Sequence, residues 1–157
     1  MHKTAVWRGY VEDWGLLFER SGLPRIAGRI WGWLLVCEPA HQSPEQLAEM
    51  LKISRGSVST NARLLEHSGL VEQAAVPGSR RKYIRIREDP YESLMQQKLD
   101  ATVQWRELAE RGLSAARREK VPLPPRLEEM RDFHAFIESE QHTLMRRWRD
   151  RTRRRRR

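Results

Sequence analysis

Apolar positions in this chain change period several times, and each change marks an element. Over residues 3–21, Trp7, Tyr10, Val11, Trp14, Leu17 and Phe18 recur at the spacing of an amphipathic helix. Gly22-Leu23-Pro24 interrupts it. Pro24 opens a second helix with an apolar stripe of Ala27, Ile30, Trp31, Leu34 and Leu35, ended by Glu38-Pro39. Gly28 and Gly32, one turn apart, suit the close approach of another helix. Each glycine weakens an isolated helix by nearly ~1 kcal/mol relative to alanine, which packing must offset. Ser43-Pro44-Glu45-Gln46 is a capping box with proline at the first helical position, followed by an inward face of Leu47, Ala48 and Leu51. Lys52-Ile53-Ser54 reads as a turn. Ser54 caps a further helix to about His67, with Val58, Ala62 and Leu65 inward and Gly69 as its stop.

The period then falls to two. Residues 70–76 read as one strand and 82–87 as its return, where Ile84 and Ile86 alternate with Arg85 and Arg87 across the turn residues Pro77-Gly78-Ser79. A hairpin directly after a helix-turn-helix is a winged helix. Asp89-Pro90 opens a long helix to about Arg118, with an apolar track of Tyr91, Leu94, Met95, Leu99, Val103, Leu108, Ala109, Leu113 and Ala116. Val121-Pro122-Leu123-Pro124-Pro125 breaks it. A last helix over 126–149 carries Leu127, Met130, Phe133, Ile137, Leu144 and Trp148, interrupted by His134 and Gln141. The expected fold is therefore mainly α with a small β-wing. Residues 1–22 and 90–150 would be dimerisation helices flanking a winged helix at 23–89, because such apolar stripes exceed what one small domain can cover, with an intramolecular core as the alternative for the stripe of the first helix.

Charge refines this picture. The chain of 157 residues has a net charge of +9, yet residues 146–157 alone hold nine arginines and one aspartate, a net +8. The high isoelectric point thus belongs to the tail, and 151–157, six arginines and Thr152, is expected to be disordered by self-repulsion. A second, local excess matters more. Between Ser54 and Arg87, seven basic residues face only Glu66 and Glu72. On the second helix of the helix-turn-helix, Arg55, Gly56, Ser57, Ser59, Thr60, Asn61 and Arg63 remain for the outer face, all small or donor-bearing and none acidic. That is what a helix entering a major groove requires. Ser57, Thr60, Asn61 and Arg63 are expected nearest the bases, Ser59 on the same face, and Arg55 on a phosphate or base. Arg80, Arg81 and Lys82 at the wing tip are expected on the backbone or in the minor groove.

These residues carry a resemblance. Gly22-Leu23-Pro24-Arg25-Ile26-Ala27-Gly28-Arg29-Ile30, Ser54-Arg55-Gly56-Ser57-Val58-Ser59, Leu65-Glu66-His67-Ser68-Gly69-Leu70-Val71 and Pro77-Gly78-Ser79-Arg80-Arg81-Lys82-Tyr83 resemble the winged helix of the MarR superfamily of bacterial regulators. Within it they are similar to the GbsR-like glycine-betaine/choline repressors. One departure stands out: Ser79 occupies the place where many such wings carry an aspartate that orients the wing arginine. The resemblance implies a homodimeric transcriptional regulator, acting as a repressor on a pseudo-palindromic operator in double-stranded DNA. It also raises a small-molecule effector, to which no residue is assigned.

Other chemistry is sparse. No catalytic loop, nucleophile elbow or metal-ligand spacing is present, so neither enzyme activity nor a cofactor or metal is expected. His134 and His142 share a helix but lie too far apart to chelate one ion. The six tryptophans read as core and interface, with an aromatic cage for a quaternary ammonium as the alternative. Cys37, the single cysteine, excludes an internal disulfide and reads as inert packing. With no membrane-length apolar run and no apolar signal region, a cytoplasmic protein is expected. The rival reading is a winged helix for protein docking, with an arginine tail that binds nucleic acid without reading sequence.

Overall fold

The computed structural model describes residues 3–155. Its elements are α1 (Lys3–Arg20), α2 (Arg25–Leu34), β1 (His41–Gln42), α3 (Pro44–Leu51), α4 (Arg55–His67), β2 (Val71–Ala74), β3 (Tyr83–Ile86), α5 (Pro90–Arg118) and α6 (Pro125–Arg155). They divide into two compact units, 1–93 and 94–157. None of the described helices is long and apolar enough to cross a membrane.

In the first unit the two glycines of α2 do what their spacing suggested. A Cβ at Gly28 would stand 2.4 Å from the Trp14 carbonyl oxygen, and one at Gly32 would stand 2.8 Å from the Trp14 ring. Thus α1 lies directly on α2. Val11 and Phe18 are buried, and Trp14 meets Trp31 edge to face at 6.4 Å. Glu12 ties the pair with contacts of 2.9 Å to Arg25 and 2.7 Å to Arg29, while the Arg29 guanidinium donates to the Leu51 carbonyl at 2.9 Å. The first helix is therefore part of the same unit as the winged helix. Only Trp7, Tyr10 and Leu17 of its stripe stay exposed.

Local signals place the helix-turn-helix. The capping box forms: Ser43 Oγ accepts from the Gln46 amide at 3.2 Å, and Gln46 Oε1 accepts from the Ser43 amide at 2.8 Å. Lys52 takes the left-handed conformation that ends α3, Ser54 Oγ accepts from the Ser57 amide, and Gly69 is left-handed after α4. The core collects Ile30, Leu47, Val58, Leu65 and Val71, each under 2 % exposed or close to it. The sheet has the order β1-β3-β2, and its pairs are antiparallel. Both wing strands are shorter than their alternation suggested. Pairing stops at Ala74 and Tyr83, because the tip opens before Pro77. Strand β1 pairs His41 with Arg85 and Gln42 with Ile84, too short a run to show any period in sequence.

Cys37 follows α2, buried, its thiol 3.8 Å from the Leu34 carbonyl. Burial pushes the thiol up from 9.0 to about 11. The unfolded thiol ionises first, so this group costs stability as pH rises from about 9 towards 11. At pH ~8 the folded thiol should react with a disulfide reagent at least about 100-fold more slowly than in urea, in line with its thiolate fraction. Equal rates would show that Cys37 is accessible.

In the second unit α5 and α6 run antiparallel. Trp105 stacks on His134 at 5.7 Å, Arg106 pairs with Glu138 at 2.7 Å, and a Cβ at Gly112 would meet Leu127. The expected apolar tracks need correction. Leu99, Ala109, Leu113, Ala116 and Met145 are buried, but Tyr91, Leu108, Phe133, Leu144 and Trp148 are exposed. On α6 the inward stripe runs through the polar interruptions: His134 and Gln141 are half-buried, whereas Phe133 and Phe136 point outward. The helix also runs further than expected. Residues 151–155, expected to be disordered, continue α6, and Thr152 donates its hydroxyl to the Trp148 and Arg149 carbonyls. Arginine is a good helix former, and basic groups suit a helix C-terminus. Arg156 and Arg157, expected in the same disordered tail, lie outside the described residues.

Candidate nucleic-acid interface

The outer side of α4 is set by helical phase. Arg55, Gly56, Ser59, Thr60 and Arg63 are exposed, on adjacent ridges. Ser57 is half-buried, its hydroxyl 2.9 Å from that of Ser54 at the helix start. Asn61 corrects the sequence reading. It is only 8 % exposed, and its Nδ2 donates to the Ser57 carbonyl one turn back at 2.8 Å. This side chain folds against its own helix, towards the core side, and presents little to a groove. Arg63 lies along α4, its guanidinium within 3.4 Å of the Ser59 carbonyl and 3.5 Å of the Ser59 hydroxyl.

One carboxylate escaped the sequence reading. Glu45, on the first turn of α3, stands 3.8 Å from Arg55. Its own backbone amide and the Ser43 hydroxyl hold its carboxyl below the usual range, helped by the nearby charges of Arg55 and Arg81. The face is thus free of acids along α4 itself, but α3 supplies one at its edge. Glu45 and Arg55 lie ten positions apart in the chain, so only the packing of α3 against α4 reveals the pair.

At the wing, Ser79 shows how the tip is held without an aspartate. Its hydroxyl accepts from the Arg81 backbone amide at 3.2 Å and lies 3.3 Å from the Tyr83 hydroxyl, while Gly78 is left-handed. Serine therefore fixes the backbone of the tip rather than a guanidinium. Arg80, Arg81 and Lys82 are exposed. Behind them Arg85 is taken by Glu72 at 2.7 Å, and Arg87 lies 3.8 Å from Asp89. Among the described residues, Arg63, Arg80, Arg81 and Lys82 have no carboxylate within ion-pair distance. Positive charge without a close carboxylate thus gathers on the α4 ridge and the wing tip.

The tryptophans do not form a cage. Trp7, Tyr10, Trp14 and Phe18 make an edge-to-face chain with centroids 5.7–6.2 Å apart. A cavity of about 250 Å³ between α1, α2 and α3 is lined in part by Trp7 and Trp33, but Arg8, Arg29 and Lys52 line it as well, against Glu12 alone. That balance repels a quaternary ammonium.

Comparison with known proteins agrees with this geometry. A MarR-family model matches residues 21–82, the α2-to-wing segment, and a model described as MmpR5-like MarR family transcriptional regulator matches 89–151. The HTH-type transcriptional regulator MmpR5 of Mycobacterium tuberculosis is 42% identical over 130 residues, covering 83% of this chain and 79% of its own length. A crystal structure described as a transcriptional regulator superposes with a TM-score of 0.76 at 40% identity, covering 90% of this chain and 97% of its own. With its helix-turn-helix, its basic wing and its two long C-terminal helices, the chain belongs to the MarR family of transcriptional regulators.

Proposed function

We propose that this regulator acts in the cytoplasm as a homodimeric repressor, with one winged helix on each half of a pseudo-palindromic operator. The observation that carries the reading is the set of cations with no carboxylate within ion-pair distance, Arg63, Arg80, Arg81 and Lys82, beside the small polar ridge of Ser59 and Thr60. Thr60 and Arg63 read base edges in the major groove, with Ser57 and Ser59 alongside and Arg55 on a phosphate once it leaves Glu45. Arg80, Arg81 and Lys82 take phosphates or the minor groove. A homodimer accounts for the exposed apolar faces of α5 and α6. The GbsR-like motifs lie within 22–87, while the model matching 89–151 is MmpR5-like, and the α1–α3 cavity is electropositive. The reading therefore stays at the MarR family, and no choline-like effector is carried over.

The test compares DNA upstream of the protein's own coding sequence with random DNA of equal length. The upstream DNA should bind more tightly. Thr60→Ala should reduce that preference by roughly 1–3 kcal/mol while hardly moving random-DNA affinity. Arg80→Ala with Arg81→Ala should weaken both DNAs and flatten the log–log salt slope by about 0.9 for each lost phosphate contact. Equal affinity of the parent protein for both DNAs would overturn the repressor reading and favour sequence-blind binding.

A further inference from the structure

We propose that the last turns of α6 form a cationic helical arm that grips duplex DNA by its phosphates, a sequence-blind contact in addition to α4 and the wing. This rests on the DNA-binding reading above.

Helix α6 is divided by charge. Residues 125–140 hold five acidic and two basic groups, whereas 141–155 hold seven arginines and Asp150. The helix dipole favours bases only in the last turn, so it does not account for Arg146, Arg147 or Arg151. Helical phase gives the run a direction that a coil would lack. At about 3.6 residues per turn, Met145, Trp148 and Thr152 fall on one side, and Arg146, Arg147, Arg151, Arg153 and Arg154 spread over an arc of roughly 160° on the other. Met145 is buried, Thr152 is half-buried and Trp148 is 38% exposed, whereas Arg146, Arg147, Arg151, Arg153 and Arg154 are exposed. Among the described residues, none of Arg147, Arg151, Arg153 and Arg154 has a carboxylate within ion-pair distance.

Arg147, Arg151 and Arg154 make one ridge about 10 Å long at ~1.5 Å per residue. Along that length duplex DNA presents about six negative charges, one per ~1.7 Å. Guanidinium forks suit phosphate oxygens. A membrane-surface helix would need a broad apolar face, and the side opposite the arginines offers only Met145, Trp148 and Thr152. The acidic first half of α6 in a second copy carries too little charge to neutralise this run. The densest part of it also lies past residue 151, where the MmpR5-like match ends.

The experiment compares the full chain with the triple variant Arg151→Gln, Arg153→Gln and Arg154→Gln, since glutamine preserves helix propensity. Both are titrated with the upstream DNA and with random DNA at several salt concentrations. The slope should become shallower by roughly 1–3 units, with about tenfold weaker binding of both DNAs at physiological salt and an unchanged ratio between them. An unchanged slope overturns the arm. So does a selective loss of upstream-DNA preference, which would make the arm a groove reader. A shift from dimer to monomer in sedimentation would assign the arginines to a second copy. Arginine-dependent binding to phosphatidylglycerol vesicles with an unchanged DNA slope would assign them to a membrane. If the parent fails to prefer upstream DNA, the repressor reading falls, while the slope comparison still decides the arm.

Discussion

Replacing Phe133 and Phe136 together by aspartate should leave every helix folded, convert the protein to monomers and weaken operator binding at least about 100-fold. Phe133 is 57% exposed and Phe136 is 60% exposed, on the side of α6 that α5 leaves uncovered. Trp105 and Leu108 on α5, and Leu144 on α6, are also more than half exposed. A paired-helix unit showing this much aromatic surface to water is short of a partner. Because both rings already face solvent, carboxylates there cost the free chain little, but at an apolar interface they would be buried unpaired. Two winged helices held together gain roughly 10²–10⁴ in avidity over one, and splitting the dimer forfeits it. Sedimentation velocity reports the assembly, circular dichroism the helices, and titration with upstream DNA the affinity. A variant that stays dimeric and binds as before would exclude this face. Removing residues 3–21 is a poorer choice. Because α1 fills the core of the first unit through Val11 and Phe18, its loss would confound dimerisation with unfolding.

The same contrast explains how much of this molecule is legible in its sequence. Signals written within one turn of chain are reliable. The Ser43–Gln46 box, the Ser54 cap and the left-handed Gly69 need only neighbours in sequence, and all three appear where expected. That some helix comes close to α2 is legible from glycines one turn apart, but that this helix is α1, expected at a dimer interface, is not. What fails depends on rotation or on distant partners. Asn61 turns inward because a bond to Ser57 competes with its exposure. Glu45 reaches Arg55 from another helix. On α6, residue size is a poor guide to phase: Phe133 faces water, while His134 finds a place against Trp105. Charge repulsion by itself predicts coil for the arginine tail. Helix propensity and the favourable C-terminal dipole carry α6 through Arg155 instead.

The tight seam between α1 and α2 supports the second large prediction. Gly28→Ala should destabilise the first unit by about 2 kcal/mol, although alanine is the better helix former by ~0.8–1.0 kcal/mol. The reason is what the new methyl would meet: the Trp14 carbonyl oxygen at 2.4 Å and Phe18 Cβ at 2.8 Å. A carbonyl within a helix cannot rotate away, so α1 as a whole must retreat. That loosens the contacts of Val11 and Phe18 and lengthens the Glu12 links to Arg25 and Arg29. Gly9→Ala is the internal control. It lies inside α1, and a methyl added there meets nothing within 4 Å, so only the propensity gain applies. That variant should be more stable by roughly 0.5–1 kcal/mol. Urea denaturation, followed by tryptophan fluorescence, should therefore move in opposite directions for two chemically identical substitutions. If Gly28→Ala were also stabilising, α1 could not lie against α2 at so short a separation, and the core assigned to the first unit would have to be redrawn.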